Sequence, residues 1–260
     1  MNDRKRAVRY GISFVILAVL LIILFIWNVN SGSIHLSVNE ILNIIFKRQA
    51  DQTSYNIVWE IRLPRILAVI ILGGALSVSG FLLQTFFNNP IAGPFVLGIS
   101  SGAKLIVALL MIFLLSRSVS IGSGAMILAA FAGSMISMGF VLLVAKKVHN
   151  MSMLVISGVM IGYICSAITD FVVTFADDSN IVNLHNWSLG SFSGMTWGNV
   201  RTMVVVVLIT MVIVFFMSKP ISAYQLGETY AQNMGVNIKA FRILLILLSS
   251  ILSACVTAFE

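Results

Sequence analysis

Long apolar runs alternate with short polar breaks along the whole chain. Seven runs are long enough to cross a bilayer, near 11–30, 63–87, 95–115, 122–145, 152–175, 199–217 and 241–259. A spanning helix needs about 20 apolar residues to cross roughly 30 Å of hydrocarbon. The pattern predicts an all-α, polytopic transmembrane helical bundle, with residues 1–260 as a single membrane domain. The first run is too long for the core of a cleavable leader and has no small-residue cleavage site before the polar loop, so it reads as a span. Residues 31–60 form an outer loop too polar to cross. Within it Leu36–Phe46 sets Val38, Ile41, Leu42 and Ile45 at helical spacing behind Ser37 as an N-cap, predicting a short amphipathic surface helix. In the stretch Lys219–Arg242, Gly227 and Gly235 punctuate two short helical segments.

Small residues recur along single helix faces: Gly73, Ser77 and Gly80; Ala129, Gly133 and Ser137; Gly158, Gly162 and Ser166. Lipid offers no hydrophobic drive for helices to associate, so such stripes mostly serve as seams where backbones approach closely. The third stripe continues into Asp170. A charge at membrane depth usually faces the bundle interior or a water-filled cavity, which makes this face a candidate wall of a translocation path. Lys104 is the other charge inside an apolar run. In a helix starting near Pro94 it sits about 15 Å along the axis. Snorkelling, or pairing with a carboxylate such as Asp170, competes there with contact to an anionic substrate.

Composition agrees with the pattern. Apolar residues make up 59% of the chain and charged residues 10%, against about 25% charged in a soluble domain. The net charge of +7 is a topology signal. Arg4, Lys5, Arg6 and Arg9 precede the first run, Lys146 and Lys147 follow the fourth, and Lys219, Lys239 and Arg242 flank the loop before the seventh. With a cytoplasmic N-terminus all of these fall on the cytoplasmic side, as the positive-inside rule expects, which argues against nucleic-acid binding. Glu60, Asp170, Asp177 and Asp178 then lie toward the outer face, and so, against the bias, do Arg62 and Arg65. Cys165 and Cys255 sit inside apolar runs with no C-x-x-C, and His185 stands without a second ligand, so neither a disulfide nor a metal cluster is indicated. Trp187 and Trp197 are placed like interfacial anchors. The chain carries no G-x-x-x-x-G-K-[ST], no H-E-x-x-H and no Ser/His/Asp grouping. Nothing supports an enzyme or a resident cofactor.

Two motifs carry the functional reading. The first runs from Arg62, Leu63, Pro64 and Arg65 through a small-residue helix to Gln84, Thr85, Asn89, Pro90, Ala92 and Pro94, then Leu97, Gly98, Ser100, Gly102 and Ala103. The second places Leu226, Gly227, Glu228, Ala231, Met234, Gly235 and Val236 in the order L-G-[DE]-x-x-A-x-x-[LM]-G-V. In both, the chain resembles the FecCD-like permease subunits of bacterial ABC importers for iron-siderophores, haem and cobalamin. The resemblance implies a homodimeric permease of the bacterial cytoplasmic (inner) membrane, with an ATP-binding cassette ATPase as a separate subunit and an extracytoplasmic substrate-binding protein as a second partner. It assigns Arg62 and Arg65 to docking that protein; guanidinium forks suit carboxylates, although interfacial anchoring or pairing with Glu60 also accounts for them. It assigns residues 219–240, and Gln225 to Val236 within them, to coupling with the ATPase. Iron-siderophore is the leading cargo, with haem and cobalamin beside it. Lys104 departs from the family, which carries an apolar or small residue there. Complete relatives have about ten spans, so the chain is expected to be truncated at its C-terminus. From the residues alone, an ion-coupled secondary transporter using Lys104 and Asp170 stays open.

Overall fold

The structure, a computed structural model, describes residues 3–30, 40–41, 43–44, 51–90, 93, 95, 98–115, 123–147 and 151–259. Most of the expected surface helix at Leu36–Phe46, and Ala92, Pro94 and Leu97 of the first motif, lie outside these residues. Every regular element among them is helical: α1 (Asp3–Asn30), α2 (Gln52–Asn56), a π-helical stretch (Ile57–Arg62), α3 (Leu63–Phe87), α4 (Ile99–Leu115), α5 (Ser123–Lys147), α6 (Met151–Val173), α7 (Asp178–Ser188), α8 (Trp197–Phe216), α9 (Ser218–Gln225), α10 (Glu228–Asn233) and α11 (Ile238–Phe259). Among the described residues six helical segments are long and apolar enough to span a membrane. The helix of the third run, α4, has 17 residues and is shorter than the 95–115 run suggests.

The reason lies in the break before it. At the end of α3, Asn88 takes the left-handed conformation (φ 47°), and the Asn89 amide reaches back to the Gln84 carbonyl at 3.1 Å. This is a Schellman-type stop, with Pro90 following where a helix cannot continue. Gly98, at φ 70°, then turns the chain into α4 at Ile99.

The chain divides into two compact units. The first comprises Met1–Val69 and Ser193–Val200. Its core joins Val29, Ile41, Ile44, Val58, Leu63 and Ile66, with Trp59 and Trp197 packed alongside. The Trp59 indole N–H donates to the Ile44 carbonyl at 3.3 Å, and that of Trp197 donates to the Trp59 carbonyl at 2.8 Å. Trp197 is therefore engaged in packing. The widened π turn ends just before Pro64. A proline ring clashes with the carbonyl four residues back, and a bond to the fifth residue relieves that crowding; the Leu63 amide bonds to the Val58 carbonyl in this way.

The second unit, Ile70–Phe192 with Arg201–Glu260, is held by close backbone approach. A Cβ on Gly102 would lie 2.6 Å from the Gly133 carbonyl oxygen, and one on Gly98 would lie 2.9 Å from the Gly162 amide nitrogen. The start of α4 is thus clamped between α5 and α6. Ser137 Oγ donates to the Gly98 carbonyl at 2.9 Å, and Ser134 Oγ to that of Ile99 at 3.3 Å. On α3 the small-residue stripe is not the seam: an added Cβ at Gly73 or Gly80 would meet nothing within 4 Å. Ser79 fills that role, donating to the Ser249 carbonyl at 2.8 Å and lying 2.6 Å from Ser253 Oγ, both on α11.

Candidate functional site

Residues 218–242 form a platform built from short helices. Gly227, at φ 126°, separates α9 from α10, and Gly235, at φ 87°, ends α10. The Val236 amide bonds to the Ala231 carbonyl and the Gly235 amide to that of Gln232, both at 3.0 Å. That pairing is a Schellman cap, which a residue with a side chain adopts only under strain.

One face of the platform is fixed. Ile221, Tyr224 and Ala231 are buried in the same core as Leu245 and Leu248 of α11, with Val236 packed against it. Gln225 donates to Thr85 Oγ1 near the end of α3 at 3.3 Å. Tyr224 Oη donates to Glu228 Oε1 at 2.9 Å, Arg242 Nε to Tyr224 Oη at 3.2 Å, and Arg242 forms an ion pair with Glu228. Burial raises the Tyr224 phenol above its ordinary value, opposed by the hydrogen bond from Arg242. The neutral phenol therefore serves as the donor to Glu228.

The other face is apolar and bare. Leu226 is 71% exposed, Met234 65% and Tyr230 48%. Tyr230 and Met234, four residues apart on α10 and its C-cap, share one helix face, and Leu226 closes α9 on the other side of the Gly227 break. Nothing in the second motif points to Tyr230, Arg242 or Thr85 as members of this assembly. Tyr230 occupies a variable position, while Arg242 and Thr85 reach it only through the fold.

The two arginines of the first motif differ in surroundings. Arg62 is buried, and its Nη1 donates to the Val29 carbonyl at 2.6 Å. Arg65 is exposed.

On α6, Gly158 and Gly162 are buried against the turn at Gly98, and Ser166 Oγ meets Ser101 Oγ at 3.4 Å. These three residues form a helix–helix seam, leaving Asp170 as the exposed member of the stripe. Lys104 is half-buried on α4. Neither Lys104 nor Asp170 has an ion-pair partner among the described residues, so the expected pairing between them is not formed. Among the described residues no group of three or more His, Cys, Asp or Glu is placed to hold a metal ion.

The sequence profile of the FecCD transport family matches residues 20–260. The chain is 30% identical over 259 residues to the hemin transport system permease protein HmuU of Yersinia pestis, covering 99% of this chain and 75% of that one. It is 35% identical over 190 residues to the vitamin B12 import system permease protein BtuC of Salmonella typhi, covering 73% and 57%. A solved structure of a metal-chelate type ABC transporter in an inward-facing conformation superposes with a TM-score of 0.80 at 26% identity, over 94% of this chain and 74% of that one.

Proposed function

The chain belongs to the FecCD transport family, a family of membrane transport permeases, and on that premise we propose that it is the membrane-spanning subunit of an ATP-driven importer. Its cargo is a bulky metal chelate, an iron-siderophore first and haem or cobalamin otherwise, carried across the cytoplasmic membrane by alternating access between two copies of the chain. The haemin, vitamin B12 and metal-chelate transporters it resembles support that cargo class. The N-terminus lies in the cytoplasm, on the same side as the 218–242 platform. Arg65 meets acidic residues of a substrate-binding protein outside, while Arg62 fixes the backbone from which Arg65 projects.

The observation that carries this reading is the two-faced platform. A separate ATPase can drive the membrane helices only through an element that it grips and that does not yield. The exposed apolar side chains of Leu226, Tyr230 and Met234 offer the grip, and the bonds from Gln225 to Thr85 and from Arg242 to Glu228 supply the rigidity. The test is affinity capture of the tagged protein from mild-detergent membranes. The wild type should recover a nucleotide-binding ATPase, and Leu226→Asp combined with Met234→Asp should lose it with an unchanged unfolding temperature. Capture of no ATPase by the wild type, or equal capture by the double variant, would reject the platform as the docking face.

A further inference from the structure

A cavity of about 270 Å³ in the second unit is lined by Ser100, Ser101 and Lys104 of α4, by Trp187 at the end of α7 and by Thr257 near the end of α11. Its polar groups are largely unused. Thr257 Oγ1 is buried with no hydrogen-bond partner. Lys104 is half-buried and has no ion-pair partner among the described residues.

A buried hydroxyl without a partner is rare in native structures, and a cation inside an apolar run almost always faces the bundle interior or a water-filled cavity. A cation at membrane depth commonly marks a ligand site. We propose that this cavity is an oxyanion site, in which Lys104 supplies the charge and Ser100 and Ser101 donate hydroxyl protons to carboxylate or phosphate oxygens. Its volume lies at the lower edge of the roughly 300–1,000 Å³ typical of ligand pockets. It therefore takes one carboxylate or phosphate group, not a whole bulky chelate. Trp187 closes one wall with an apolar face. The site is independent of the importer reading, since binding here requires neither ATPase nor binding protein.

The experiment follows the amine of Lys104 directly. The full chain is placed in nanodiscs of phosphatidylcholine alone or with added phosphatidylglycerol, and acylation of Lys104 by a small activated ester is read by peptide mass spectrometry. Citrate, inorganic phosphate and, at matched ionic strength, chloride are the probes. Occupancy should slow acylation on the order of tenfold, the scale of one charge-assisted contact, and Ser101→Ala or Ser100→Ala should weaken that protection. Protection by citrate or phosphate in phosphatidylcholine identifies a soluble oxyanion. Protection seen only with phosphatidylglycerol identifies a lipid headgroup. Equal protection by chloride, protection indifferent to both variants, or no protection under any condition overturns the site and leaves Lys104 as a lysine that merely reaches water.

Discussion

Glycines that look alike in the sequence differ sharply in what surrounds them. Gly102 and Gly133 stand backbone to backbone, whereas Gly73 and Gly80 face open space. Gly102→Leu should therefore lower stability by about 1–3 kcal/mol or more, as overpacking does, while Gly80→Ala should leave it unchanged or slightly higher; denaturant titration of the purified protein separates the two. Ser79→Ala should cost about 0.6 kcal/mol and at most about 1.7, the range for hydrogen bonds between membrane helices. Spacing alone could not rank these positions. Seams and bare stripes share one period, and only the neighbouring helix distinguishes them. The arginines make the same point. Arg62→Ala removes a donor to the Val29 carbonyl and should destabilise the fold. On the proposed docking role, Arg65→Glu should leave the unfolding temperature alone and slow capture of the binding protein, since a charge at an interface rim acts mainly on the association rate. Nothing in the motif R-L-P-R itself tells the inward arginine from the outward one.

The 218–242 platform was half legible at the level of elements. Glycines 227 and 235 mark the joints of two short helices because left-handed backbone favours that residue, and the structure puts both at positive φ. What braces the platform was not legible: Thr85 lies 140 residues from Gln225, and Arg242 lies on the next helix. The brace has a pH signature. Burial raises the Tyr224 phenol above its ordinary value of 10.0, so the stabilisation from the neutral form is complete below pH 10 and is lost as pH climbs through the folded value. Tyr224→Phe should cost about 1 kcal/mol at neutral pH, and the gap to the wild type should close in more alkaline solution. Thermal unfolding of the two proteins at paired pH values reads both effects. The third apolar run shows the opposite error. The apolar run already begins at residue 95, but α4 begins at Ile99, directly after the left-handed turn at Gly98.

Across the whole molecule, hydropathy made the all-helical membrane class readable, because lipid leaves a chain few ways to satisfy its backbone. It left open how much of each helix the protein itself covers. The most apolar stretch of α1 has a mean hydropathy of 2.9 and that of α11 has 2.1; within the second unit α6, at 1.8, is 17% buried where α11 is 61% buried. Chains are made from the N-terminus at about 5–20 residues per second, so α1 must be comfortable in lipid before most of its fold exists. Helix α11 arrives carrying Ser249 and Ser253, whose partner Ser79 is by then already in place. Synthesis order thus suits this pair of helices: α11 enters the bilayer after α3, which carries the partner of its serines. Fused by itself to a soluble reporter, α1 should be retained in membranes more completely than α11, a difference that carbonate extraction would show.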